Sequence, residues 1–178
     1  MKKTLLLLAA FLLLASCGKN AQEEMGSLSR QNEKDGEEIH CPESLDIGAF
    51  DLSGVKSVRI ASGYTGADLL VTGAEDIAAI IEKASVLSGS DPISSRGYYG
   101  WSYGLDFYET ENPAEDEEPM LRFAMFDCSS ETTYLTYGTF EINNGHRYSA
   151  MYLTDAALTE EMEILCASLI GEESFYSH

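Results

Sequence analysis

The chain has 178 residues, 44% of them hydrophobic and 10% aromatic, enough apolar material for one core together with an appendage. Its 30 Asp and Glu against 11 Lys and Arg give a formal charge of -19, so nucleic acid and anionic membrane surfaces are repelled over most of the exterior. That argues against nucleic-acid binding and favours solubility, cation attraction and basic partners, with most of the acids read simply as a solvated surface.

Met1, Lys2 and Lys3 make a basic start, and Thr4 to Ala15 is an apolar run dominated by leucine. The run falls short of the about 20 apolar residues that cross a bilayer, so residues 1–16 read as a signal peptide. Directly after it, Leu14-Ala15-Ser16-Cys17 resembles the lipobox of bacterial lipoproteins, in which an aliphatic and two small residues precede a cysteine. The resemblance implies cleavage between Ser16 and Cys17 and lipidation of Cys17. It also implies a mature chain anchored at the extracytoplasmic face of the bacterial cell membrane. Losing Lys2 and Lys3 takes the formal side-chain charge from -19 to -21 and leaves nothing polybasic, so the two or three acyl chains of such an anchor would carry attachment.

The other cysteines, Cys41, Cys128 and Cys166, are odd in number, so at most one internal disulfide can form among them. They include no C-x-x-C pair and no zinc-like spacing. Residues 17–48 are polar and charged and cannot bury enough apolar area to offset their conformational entropy, which predicts a flexible acidic tether. His40 and Cys41 lie near its end and supply two ligands, too few for a metal site.

The folded domain is expected over residues 49–172, followed by a tail at 173–178. Val55 to Ile60 and Asp68 to Thr72 read as two strands joined at Gly63 to Gly66. Thr72 and Glu75 have capping-box spacing, and Ile77, Ile80, Ile81, Ala84 and Leu87 follow at helical intervals. The stretch Ser90 to Gly97 reads as a loop. After it Trp101, Tyr103, Leu105 and Phe107 alternate with Ser102, Gly104, Asp106 and Tyr108, which places the first set on one apolar strand face, in the core. Tyr98 and Tyr99, between Gly97 and Gly100, are the candidate surface-binding residues, with Trp101 at the edge of the same patch.

Six acids between Glu109 and Glu118 lack calcium-loop register and read as a solvated hairpin loop. Strands are expected over Leu121 to Cys128 and Tyr134 to Tyr137, then a hairpin through Asn144-Gly145 from Phe140-Glu141-Ile142 into Arg147 to Leu153. Leu158, Met162, Leu165 and Leu169 mark a last helix, with Thr154 or Thr159 near its start, Gly171 as its stop and Cys166 as a small buried thiol on its apolar face. This order predicts an α+β fold, an antiparallel sheet of about five or six strands with two amphipathic helices packed on one face.

Glu75-Asp76-Ile77 at a helix start, the strand from Trp101 to Tyr108, Asn144-Gly145 followed by Tyr148, and the leucine-rich terminal helix together resemble small extracytoplasmic domains of Gram-positive bacterial lipoproteins of unknown function. The resemblance covers roughly residues 50–170. It implies the fold and no catalytic residues.

No motif assigns a reaction, a metal or a cofactor. Ser53-Gly54-Val55-Lys56 matches S-x-x-K but reads as a turn entering a strand, and no K-T-G accompanies it. His40, His146 and His178 lie in tether, turn and terminus, away from any orienting partner. The expectation is a membrane-anchored, non-catalytic binding or interaction module that meets an envelope protein, a wall component or a small ligand. The alternatives are an envelope hydrolase using carboxylates, or an acidic inhibitor or immunity-type lipoprotein masking a basic partner.

Overall fold

A computed structural model describes residues 38–129, 132–141 and 146–172. Cys17 and its lipobox, the Asn144-Gly145 turn, His178 and the side chain of Cys128 lie outside the described residues. Two compact units are distinguished. One is Met1–Glu38 with Glu141–His146, of which only the ends are described; the other, Ile39–Phe140 with Arg147–His178, holds the body of the sheet and both helices.

The strands are β1 (Glu38–His40), β2 (Ser44–Asp46), β3 (Ser57–Ser62), β4 (Asp68–Val71), β5 (Ser88–Ser94), β6 (Tyr103–Tyr108), β7 (Leu121–Ser129), β8 (Thr132–Glu141) and β9 (Arg147–Thr154). The helices are α1 (Ala74–Ala84) and α2 (Ala156–Ile170), with one 3-10 turn at Ile47–Ala49. The sheet runs in the order β2-β5-β9-β8-β7-β6-β3-β4, with β1 paired to β8 off that path, and every pair whose register is described is antiparallel. This corrects the expected α+β layer of about five or six strands: one nine-stranded sheet dominates the fold, with only two helices among the described residues.

The additional strands escape a periodicity reading for physical reasons. Strand β5 is Ser-Gly-Ser-Asp-Pro-Ile-Ser, almost without apolar residues, yet it pairs on both sides. Its register shifts between Ser90 and Ile93, where Asp91 takes a φ of 53° and Pro92, which has no N–H to give a ladder, is accommodated in the irregularity. Strands β1 and β2 lie ahead of Ala49, within the stretch read as tether, and Leu45 and Ile47 are buried there. Strand β8 extends the expected Tyr134 to Tyr137 in both directions, through threonines suited to a pleated surface.

One face of the sheet carries the main core. Val58 and Ile60 of β3, Leu105 and Phe107 of β6, and Leu121, Phe123 and Met125 of β7 join Leu135 and Tyr152. The same cluster takes in Ile77, Ile80 and Ala84 of α1 and Met162, Cys166 and Ala167 of α2, so both helices bury their apolar stripes on this face. The Phe107 and Phe123 rings stack at 5.8 Å.

Helix α1 starts at Gly73 with no side-chain cap, so the Thr72 and Glu75 spacing is not used; Glu75 and Asp76 in its first turn and Lys83 in its last complement the helix dipole. Helix α2 is capped by Asp155, whose Oδ1 accepts from Ala157 N at 2.8 Å, in place of the expected threonines. It ends on Gly171 at φ 82°, a left-handed position that glycine fills without strain.

Glu172, one residue past that stop, latches the helix end to the sheet. Its carboxylate accepts from Tyr103 Oη at 2.9 Å, from Ser62 Oγ at 3.1 Å and from the Thr65 hydroxyl. Burial alone would raise this carboxyl, but the three hydrogen bonds outweigh it and hold it below its ordinary value. A carboxyl lowered in the folded state stabilises fully above its unfolded pKa, and that stabilisation is lost as pH falls through the lowered value. Glu172→Gln is therefore expected to lower the Tm at neutral pH, with the gap to the wild type closing below about pH 4 when melts are run across the acidic range. A gap that stays constant through acidification would contradict the latch.

Candidate functional site

Alternation puts the polar residues of the same strands on the opposite face, where no helix among the described residues packs. Arg59 of β3, Asp106 of β6 and Arg122 of β7 stand directly opposite one another and form a charged row across three strands. The next row is small: Ala61, Gly104, Ala124 and Thr136, continued by Asp68 opposite Ala61. Beyond it, Phe126 faces Tyr134. The result is a depression of about 450 Å³ floored by small side chains, with Arg59, Asp106 and Arg122 on one side, Trp101 and Phe126 on the other, and Asp68 and Ser149 also in its lining. A second depression of about 480 Å³ shares Arg122, Thr136 and Ser149 and reaches His40, Met120 and Tyr137.

The charged wall is internally paired. Arg122 donates from Nε to Asp106 Oδ1 at 2.6 Å and from Nη2 to Oδ2 at 2.7 Å, a bidentate fork that fixes both planes. The Arg122 side chain stays 63% exposed while that of Asp106 is 17% exposed, so the arginine presents its remaining donors to solvent. The Asp106 hydrogen bonds, ahead of the charge itself, raise the Arg122 pKa further above its already high value. Tyr108 donates to Asp106 Oδ2 at 3.3 Å, and burial, then the Asp106 charge, push its phenol up, so it stays protonated. The Arg59 guanidinium lies 5.9 Å over the Tyr108 ring, with its Nε 3.7 Å from Asp68 Oδ1. That Nε is shut off from solvent and meets no hydrogen-bond acceptor among the described residues.

The aromatic wall comes from the connection between β5 and β6, residues 95–102. Ser95 N donates to Ser149 O at 2.8 Å, Tyr98 N closes a turn on Ser95 O at 2.9 Å, and Gly97 and Gly100 take φ values of 87° and 84°. Between those glycines the tyrosines part. Tyr98 turns down onto a small cluster of Ile93, Phe126, Tyr134 and Met151, its ring 6.0 Å from that of Tyr134. Tyr99 turns out and is 94% exposed.

Trp101 corrects the core placement. It stands two residues ahead of β6, outside the alternation that buries Tyr103, Leu105 and Phe107, and is 37% exposed. Its ring lies over Gly104 on the open face, 3.6 Å from where a Cβ would stand. A Cβ on Gly63 would overlap the Trp101 carbonyl oxygen, so the β3–β4 turn needs glycine there. Ser102 then anchors the connection from beneath: its N and Oγ reach Met125 O at 2.8 and 3.1 Å, and its hydroxyl meets the buried Glu163 carboxyl of α2. With both residues buried, this pair joins helix to sheet rather than meeting a substrate.

The remaining candidates are scattered. His40 is exposed beside the second depression, and His146 is exposed at the start of β9. Cys41 is half-buried, and burial, then Glu163, push the Cys166 thiol up and leave it unreactive. Among the described residues, no group of three His, Cys, Asp or Glu is placed to hold a metal ion. The arrangement suits recognition: a fixed aromatic ring faces fixed donors and acceptors across a shallow floor. Sequence reasoning named Tyr98, Tyr99 and Trp101 but missed Arg59, Asp106 and Arg122. Their signal is a charged residue between two buried ones in Val58-Arg59-Ile60, Leu105-Asp106-Phe107 and Leu121-Arg122-Phe123.

The two tyrosines are expected to respond differently to substitution. Tyr98→Ser removes a ring from the small cluster and should cost about 1–3 kcal/mol in a denaturant melt, whereas Tyr99→Ser should stay within about 0.5 kcal/mol of the wild type. Equal losses at both positions would contradict the inward and outward orientation.

No protein-family model, curated protein or solved structure matches this chain.

Proposed function

We propose that this protein is a lipid-anchored, non-catalytic binding module of the bacterial envelope, and that it meets its ligand or partner on the open sheet face. The observation that carries this reading is the depression there, with Trp101 on one side and the Arg59–Asp106–Arg122 row on the other. Strands hold the charged wall, and Ser102 pins the connection that carries Trp101, so little ordering entropy is left to lose on binding. Asp106 is engaged by Arg122 and Tyr108, which makes it an orienting acceptor rather than a proton donor, and this favours binding over carboxylate hydrolysis. The anchor is carried by the lipobox resemblance at Leu14 to Cys17. Two or three acyl chains on Cys17 would hold a chain whose acidity gives no attraction to anionic lipid.

Two measurements test the two halves of the proposal. Cys17→Ser should abolish metabolic palmitate labelling and move the protein from the membrane to the soluble fraction; a labelled, membrane-bound variant would contradict the anchor. A photocrosslinker at Tyr99, in the connection that carries Trp101, should capture an envelope component, while one at the also exposed Val86 beyond α1 should not. Crosslinks from Val86 alone would move the binding surface elsewhere.

A further inference from the structure

The open face shows what chemistry it accepts, and the inference rests on the binding-module reading above. We infer that the ligand is an uncharged glycan chain lying across the strands. Three observations converge on it.

The first is charge. Two arginines and two aspartates line the depression, and each arginine has an aspartate beside it: Arg122 chelates Asp106, and Arg59 sits 3.7 Å from Asp68. A ligand of either sign meets no unmatched counter-charge here. An anionic one must also approach a chain of formal charge -19. A neutral polyhydroxylated ligand finds donors and acceptors side by side, since the outer guanidinium N–H groups of Arg122 donate next to the Asp106 oxygens. Vicinal hydroxyls, each both donor and acceptor, match that alternation without any charge being stripped of its partner.

The second is the opposite wall. Trp101 is held over Gly104, partly exposed, at the edge of a floor only as deep as alanine and glycine side chains allow. A sugar ring has one apolar face of C–H groups and a polar rim. Laid against the indole it covers apolar area, while its rim turns toward the charged row. A peptide would instead be expected to seek a free strand edge for main-chain pairing, and this depression lies over the middle strands, where the backbone is already paired.

The third is direction. The lining runs from Asp68 on β4 through β3, β6, β7 and β8 to Ser149 on β9, so it crosses five strand spacings, roughly 24 Å. That length accommodates several linked rings rather than one, and affinity should grow with chain length until the floor is filled.

Trp101 is the only tryptophan of the chain, so its fluorescence reports this site directly. The full chain in detergent is titrated with neutral oligomers of glucose, mannose, galactose and N-acetylglucosamine, from one to six units. Oligogalacturonate and tetra-alanine serve as comparison probes. The expected result is a saturable, length-dependent change with at least one neutral series, about tenfold weaker with oligogalacturonate and absent with tetra-alanine. Calorimetry on Arg122→Met should then show about tenfold weaker binding of that oligomer, with no such loss for Val86→Ser. Tighter binding of oligogalacturonate, a preference for tetra-alanine, or no response to any neutral series overturns the inference. If crosslinking from Tyr99 persists in that case, the binding face stands and only its ligand class falls; if it fails as well, both fall.

Discussion

The chain has to travel from β5 to β6, past β9, β8 and β7, before it can continue the sheet. That crossing sets the geometry of everything on the open face. Residues 95–102 make it by turning on two left-handed glycines. They seat Tyr98 on Phe126, Tyr134 and Met151, and drop back to the helix side at Ser102. Because Ser102 is pinned to Met125 and Glu163, β6 enters in the register that buries Leu105 and Phe107 and sends Gly104 and Asp106 outward. Trp101, the residue before the pin, lies over Gly104.

The two faces are consequently built by different physics. On the helix side the strands contribute large apolar chains, and the helices remove them from water together with their own stripes. On the open side the same strands contribute small and charged residues around the depression, with Tyr108, Phe126 and Tyr134 beside them, and the charges pair laterally, arginine to aspartate across the ladder. Exposed ion pairs of this kind stabilise little, about 0–1 kcal/mol each. Their consequence is positional, since the fork between Arg122 and Asp106 holds two planar groups in one orientation that a ligand meets already formed. Short outer strands, three residues in β2 and four in β4, limit the edges available for unwanted pairing.

Much of this was legible in the residues. Helix α1, the β3–β4 hairpin and the strand through Leu105 and Phe107 follow from periodicity, because their burial is one-sided and apolar, whereas α2 buries Thr159 and Glu163 beside Met162, Cys166 and Ala167 and leaves Ile164 exposed. Strand β5 did not follow, since its pairing depends on neighbours β2 and β9 rather than on its own side chains, and a proline within a run ordinarily argues against a strand. Leu45 and Ile47 were hidden by the polar residues around them. Trp101 misled because a period-two pattern says nothing about where a strand starts: β6 begins at Tyr103, and Ser102 and Tyr103 both reach the helix side, which breaks the alternation before it gets to Trp101. The charged row was present in three apolar-charged-apolar triplets, but only the register shows that the three charges meet.

The most direct test of this account is a set of proton–proton contacts from Trp101 and Tyr98 in solution. With the crossing as described, the Trp101 indole shows contacts to the Gly104 α-protons and the Ala124 methyl, and the Tyr98 ring to the Met151 methyl. Contacts from the indole to Phe107 and Met162 would place Trp101 in the helix-side core, close the open face's aromatic wall and contradict the site built on it.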